Sequence, residues 1–156
     1  MLKMMVRFKV GYEEVRKRHL SQDYIRFHFT SKRKRMSTII ENCGPTEHGY
    51  DKRVHLKGAS EIVLASCDFY LDGEGRKVPL PQKKKLELED QIDKYAKQAL
   101  RTICFAYKDL RPNEGGHSHE DKDENGYLHV IEKTGFTLIS LVGIRDIIRD
   151  EVPKAI

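Results

Sequence analysis

The sequence predicts an α+β fold, an antiparallel β-sheet with helices packed on it. Three observations carry that expectation. YIRFHFT (24–30), MSTIIEN (36–42) and KRVHLK (52–57) follow one another with short polar connections. The first and third of these alternate apolar with polar residues, the period-two signature of strands buried on one face. KKLELEDQIDKYAKQALR (84–101), read on to Ile103, places Leu88, Ile92, Tyr95, Ala96, Ala99 and Ile103 at spacings of three and four, the apolar stripe of an amphipathic helix. Strands and helices also come in runs, without the βαβ alternation that a doubly wound parallel sheet requires.

Taken in order, YEEVRKRHL (12–20) reads as a helix, with Glu13 and Glu14 suited to its positive N-terminus. In YIRFHFT, Ile25, Phe27 and Phe29 share one face, and Arg26, His28 and Thr30 the other. SKRKR (31–35) is a turn or strand entry, and GPTEHGYD (44–51) is dense in turn residues. The three strands then form an antiparallel meander. EIVLASC (61–67) reads as a short helix with Ser60 as its N-cap and Glu61 against its dipole. DFYLDGEGRKVPLP (68–81) reads as a loop with a turn at DGEG. The long helix runs directly into a strand, ICFAYKDL (103–110). RPNEGGHSHEDKDENGYLH (111–129) reads as a polar surface loop. Its His117 and His119 lie near acids but on no ligand framework, so no metal is expected there. FTLISLVGI (136–144) is a buried strand, and IRDIIRDEVPKAI begins something new.

At 156 residues the chain is long enough for one domain with a real core and too short for two. With 34% charged residues against 38% hydrophobic, it reads as a soluble domain. Its longest apolar run, nine residues, is far short of the ~20 that span a bilayer, and no signal peptide is visible. The three cysteines lack C-x-x-C spacing and read as reduced thiols in a cytosolic setting. No patterned histidine marks any of them as a nucleophile. A net charge of +5, with basic runs at 16–18, 31–35 and 83–85, favours a polyanionic partner. Nucleic acid, a lipid surface and a nucleotide all satisfy that condition.

The sequence contains no G-x-G-x-x-G and no Walker GxxxxGK[ST] loop. It also lacks a G-x-S-x-G elbow, an H-E-x-x-H pair and a D-K-T-G-T phosphorylation motif, so no catalytic residue is assigned. The KTG within VIEKTGFT (130–137) follows a glutamate and reads as coincidence. The residues that suggest binding are Phe29, Lys34, Lys57 and Arg101. An aromatic face beside cations suits a purine with attached phosphates, and Gly58 with Ala59 would let a ligand approach the backbone. The plainer reading stands beside it: a Phe on an alternating strand is usually core, and strand-end cations are usually solvated.

Four stretches, KGASE (57–61), FTSKRKRMS (29–37), LRTICFAYKDL (100–110) and LVGIRDIIRDEVPKAI (141–156), together resemble the nucleotide-binding domain of P-type cation-transporting ATPases. KGASE (57–61) looks like the family's KGA(P/S)E motif, and FTSKRKRMS (29–37) its F-x-S-x-R-K-x-M-S segment. LRTICFAYKDL (100–110) is similar to the segment L-R-x-(I/L)-x-x-A-(Y/T)-(K/R)-(D/E). LVGIRDIIRDEVPKAI (141–156) resembles the hinge where the chain re-enters the phosphorylation domain. The four fall in family order and cover nearly the whole chain. Ser31 in place of arginine and Ser60 in place of proline lean toward the plasma-membrane, calmodulin-regulated type of calcium pump.

The resemblance implies a nucleotide-binding domain over 1–143, followed by a hinge and the first residues of the phosphorylation domain over 144–156. It implies that Phe29 stacks on adenine, that Lys34 and Lys57 line the pocket, and that Gly58 gives close backbone approach. Arg101 would reach the phosphate tail and Ile103 would wall the base pocket. Asp146 and Arg149 match the hinge and would help position nucleotide phosphate in the whole pump. The ligand implied is ATP, with Mg2+ in the complete enzyme. The partners implied are the phosphorylation and actuator domains of the same pump, placing the chain as a cytosolic domain of an integral membrane protein. On this reading nucleic acid is no partner, and the membrane is met only through helices outside the chain. Two departures matter. The family's upstream T-E-x-A-L glutamate precedes the point where this chain begins, so weaker affinity is expected, and Asp146-Ile147 stands where Asp-Pro is usual. Without the D-K-T-G-T aspartate, this stretch is expected to hold a nucleotide and not to turn it over. The competing reading is a free-standing basic module for nucleic acid or anionic lipid, against which the dispersal of the basic runs among acids argues.

Overall fold

The computed structural model describes residues 9, 11–19, 24–40, 52–110 and 130–145. These contain three α-helices, α1 (Tyr12–His19), α2 (Ser60–Ala65) and α3 (Gln82–Lys97). The seven strands are β1 (Ile25–Phe27), β2 (Arg35–Ile40), β3 (Arg53–Ala59), β4 (Cys67–Leu71), β5 (Lys77–Pro79), β6 (Leu100–Asp109) and β7 (Phe136–Arg145). A 3-10 turn, Val130–Glu132, precedes β7. The strand order is β1-β2-β3-β6-β7-β4-β5. β1 pairs antiparallel with β2 and β4 antiparallel with β5, while β4 pairs parallel with β7. The α+β class expected from the sequence is the class found, with a sheet that is mixed because of the β4–β7 pair. The expected turn at 44–51, the loop at 111–129 with His117 and His119, and the hinge residues Asp146 and Arg149 lie outside the described residues. No described helix is long and apolar enough to cross a membrane.

The chain divides into two compact units, Met1–Leu56 with Tyr107–Lys133 and Lys57–Ala106 with Thr134–Ile156. In the first, Ile25, Arg26 and Phe27 of β1 face Ile39, Thr38 and Ser37 of β2. Alternation along β2 sends Ser37 and Ile39 inward. Phe27, Ile39, Val54, Leu56, Leu110 and Ile131 are buried as the apolar core of this unit, each such side chain contributing roughly 1.5–3 kcal/mol. The start of β3 is tied to the end of β6. Leu110 N donates to Lys52 O at 3.0 Å, and Arg53 forks onto the Asp109 carboxylate at 2.5 and 2.9 Å while covering the Tyr107 ring. The strand expected over 24–30 stops at Phe27, so Phe29 is not a strand residue. The backbone beyond it turns instead of extending, with Lys34 N donating to Thr30 O.

In the second unit β3 runs through Lys57, Gly58 and Ala59 and passes into α2 without a loop. The expected N-cap moves by one residue. Ala59 occupies that position without a side-chain capping bond, and Ser60 is the first helical residue, fully buried. The stretch expected as a loop over 68–81 is a hairpin, β4–β5. Its turn is held by the Asp72 carboxylate, which accepts the N–H groups of Glu74 and Arg76 at 2.9 Å and the Arg76 guanidinium. These bonds, those from Arg76 first, hold the Asp72 carboxyl below its ordinary range. The long helix ends at Lys97, earlier than its stripe suggested. Ala99 takes a left-handed φ of 56° and its N–H closes onto Ala96 O, so Ala99 and Ile103 lie off the helix and Ile103 belongs to β6. Ile92 is the buried residue of the α3 stripe. Phe136, Thr137 and Leu138 are buried in succession, as expected where a strand is covered on both faces. The rest of β7 is more open than its apolar sequence suggested. Asp68 sits at an irregularity of the β4–β7 register, its carboxylate accepting Gly135 N at 2.7 Å.

Cys67 and Cys104 are both buried in this unit. Burial, with Cys104 and Asp68 nearby, pushes the Cys67 thiol up to about 12. Burial also raises Cys104, offset in part by the adjacent Ser60 hydroxyl. Among the described residues Ser60 Oγ has no conventional hydrogen-bond partner, so that contact with sulfur is a weak one. A thiol whose folded pKa is raised stabilises below its unfolded value, ~8.5, and loses that contribution as pH rises. Alkaline unfolding followed by circular dichroism should therefore show stability falling between ~9 and ~12, and Cys67→Ala should flatten that slope. A slope unchanged by the substitution would place its origin elsewhere.

Candidate functional site

In the first unit the candidate residues sit on the turn His28–Lys34 between β1 and β2. Thr30 organises it: its carbonyl accepts Lys34 N at 2.8 Å and its hydroxyl accepts Arg33 N at 3.1 Å. Lys34 closes the turn at φ 50°, a left-handed conformation normally given to glycine. Phe29 is 58% exposed, so the core reading of this phenylalanine does not hold. Lys34 is exposed as well. Replacing Lys34 with glycine should leave the chain at least as stable, because relief of ~1–2 kcal/mol of left-handed strain offsets the ~0.5–1 kcal/mol backbone entropy of glycine. Urea unfolding reads this, and a clear loss of stability would show that the lysine side chain supports the turn.

Arg33, one residue earlier, goes the opposite way. Its side chain is only 8% exposed. Nη1 donates to His28 O, while Nη2 donates to both carboxylate oxygens of Glu132 at 2.5 and 2.6 Å. Ser37 Oγ donates to Glu132 Oε1 at 2.5 Å, and Glu132 itself is fully buried. Arg35 lies close by: burial lowers its pKa, with Glu132 opposing and Arg33 adding to the shift. Sequence reasoning missed this cluster. Arg33 and Ser37 stand inside a stretch already singled out, but Glu132 is 99 residues along the chain from Arg33. It lies in VIEKTG, where no local pattern distinguishes a buried acid from a solvated one.

In the second unit Lys57 and Gly58 lie within β3, and Arg101 and Ile103 within β6, its neighbour in the strand order. Lys57, Gly58 and Ile103 are half-buried and Arg101 is exposed. Lys57 does not close its strand as expected, since β3 continues two residues beyond it. Arg101 likewise belongs to β6 and not to the helix junction. Phe29 and Lys34 thus share one turn, and the other four share two adjacent strands.

A model of the family described as P-type ATPase, cytoplasmic domain N, matches residues 1–151. The chain belongs to that family. Several calcium pumps are similar to this N domain. Calcium-transporting ATPase 3, plasma membrane-type, of Oryza sativa subsp. japonica is 42% identical over 128 residues, covering 82% of the chain and 11% of that protein. Plasma membrane calcium-transporting ATPase 4 of Bos taurus is 41% identical over 129 residues, covering 82% of the chain and 10% of that protein. Calcium-transporting ATPase PAT1 of Dictyostelium discoideum is 37% identical over 149 residues, 96% of the chain and 12% of that protein. The N domain thus spans about a tenth of the length of the curated relatives it matches, and the lean toward the plasma-membrane type agrees with the names of the Oryza and Bos proteins.

Proposed function

We propose that this N domain binds ATP within a P-type calcium-transporting ATPase, with Phe29 stacking on adenine and Lys34, Lys57 and Arg101 meeting the base and phosphates. The observation that carries the reading is Phe29, a large aromatic exposed on a turn whose backbone is hydrogen-bonded on both sides. An aromatic kept out of the core is suited to a base, and the exposed Lys34 on the same turn suits its phosphates. Gly58 and Ile103 would give backbone approach and an apolar wall. Asp146 and Arg149 would serve at a hinge over 144–156, after a nucleotide domain over 1–143. In the whole pump the γ-phosphate would pass, with Mg2+ offsetting charge, to an aspartate of the phosphorylation domain. The phosphorylation and actuator domains would be the partners, on the cytosolic side of the membrane. The comparisons lend no support to a free-standing module for nucleic acid or lipid.

The test is a chemical-shift titration of the 156-residue chain with ATP. Perturbation at Phe29, Lys34, Lys57 and Arg101 at millimolar nucleotide, with only mild salt dependence, is the expected result. No perturbation at these positions, or binding that collapses with salt in the way of polyanion binding, overturns the reading. Phosphate release should stay at the buffer rate even when ATP is bound.

A further inference from the structure

We infer that Glu132 is a positioning residue for nucleotide, acting through Arg33 to fix the turn that presents Phe29. The inference rests on the proposed ATP reading and adds a residue to it. Arg33 grips two points that bracket Phe29. Its Nη1 holds the carbonyl of His28, immediately before the ring, and its backbone N–H is held by the Thr30 hydroxyl, immediately after it. The grip on His28 depends on where the guanidinium sits, and Glu132 sets that by accepting from Nη2 with both oxygens, while the backbone bond to Thr30 closes the same turn independently. Ser37 steadies the carboxylate from the start of β2. The backbone on either side of Phe29 is therefore fixed while its ring is left uncovered. This is the arrangement that lowers the entropic cost of binding, because nothing need be ordered when a base arrives.

Stability alone gives little reason for such a cluster. A buried ion pair gains little net free energy against the apolar residues that could replace it. Here Arg33 Nε is also buried with no partner among the described residues. Two strands such as β1 and β2 can be joined by a short apolar-free hairpin loop without any buried charge. The seven residues from His28 to Lys34, anchored by a carboxylate from a distant segment, are better explained by what they display.

The test combines Glu132→Gln, which keeps size and removes charge, with Phe29→Ala in a double-mutant cycle on the 156-residue chain. In Glu132→Gln, amide exchange at Arg33 and Lys34 should quicken about tenfold or more beyond the quickening that lower global stability gives the core amides of Ile39 and Leu56. ATP affinity should fall about tenfold in the otherwise native chain and within about twofold in the Phe29→Ala background, because the loss runs through the ring. Equal losses in both backgrounds would mean a general structural role and overturn the inference, as would unchanged exchange at Lys34. If Glu132→Gln does not fold, Ser37→Ala reads the same quantities with the ion pair retained, and about threefold changes in the same pattern are expected. If the unaltered chain does not bind ATP, the nucleotide reading falls, and unchanged exchange still overturns the positioning role by itself.

Discussion

Alanine at Phe27 is expected to destabilise the chain by about 3–5 kcal/mol, while alanine at Phe29 should change stability by no more than about 0.5 kcal/mol. The two rings are separated by one residue and carry the same chemistry. Phe27 is 1% exposed, opposite Ser37 in the β1–β2 register, and its removal opens a cavity that the surrounding strands cannot close. Phe29 is 58% exposed past the end of the strand, so its removal leaves no void. Its loss should appear in nucleotide binding, where an aromatic stacked on a base is worth about 1–3 kcal/mol, roughly fivefold to 150-fold in affinity. Urea unfolding and ATP titration on both variants separate the roles. If Phe29→Ala unfolds the chain, the ring is structural after all and the site assignment fails.

The second large effect is expected at Glu132. Alanine there removes the counter-charge of a guanidinium that is only 8% exposed, and such a loss typically costs about 3–5 kcal/mol. Replacing both partners together, Arg33→Met with Glu132→Leu, should recover most of that stability, since neither buried charge then remains. The recovered variant should still bind ATP less tightly than the native chain, because the tie to the His28 carbonyl has gone with the guanidinium. Denaturant midpoints of the two singles and the double provide the measurement. Should Glu132→Ala cost less than about 1 kcal/mol, the carboxylate is not the counter-ion its geometry indicates.

The elements most visible in the sequence were those whose signal is local. The alternation in KRVHLK marks β3, with Val54 and Leu56 inward and His55 outward, and the spacing in the long helix marks α3. Even there the ends moved. β3 ran on through Gly58 and Ala59, because a strand can feed a helix without a turn when the junction residue adopts an extended backbone, as Ala59 does. α3 stopped where Ala99 took a left-handed conformation that alanine rarely adopts. The β4–β5 hairpin was hidden because DGEG and two prolines dominated the reading of a stretch whose Phe69, Tyr70 and Val78 favour strand. The parallel β4–β7 pair could not be read from either segment, since each looks the same whichever partner it takes. For the site, the family motifs marked Phe29 and Lys34, while the pattern alone could not say whether Phe29 faced inward. Glu132 had no local signal at all. Its burial is a property of the partner it finds, and that partner is 99 residues away.

That separation also bears on how the chain is made. During synthesis Arg33 emerges well before the carboxylate that will neutralise it, and at roughly 5–20 residues per second the wait is about 5–20 s. The first compact unit is drawn from Met1–Leu56 and Tyr107–Lys133, so its N-terminal half must remain unfinished while the intervening fifty residues leave the ribosome. The first unit cannot be completed before Tyr107–Lys133 has been made. The contacts that complete it are of long range and slow to form, and the nascent strands β1 and β2 spend that interval with their apolar faces uncovered and dependent on whatever shields them until Glu132 arrives.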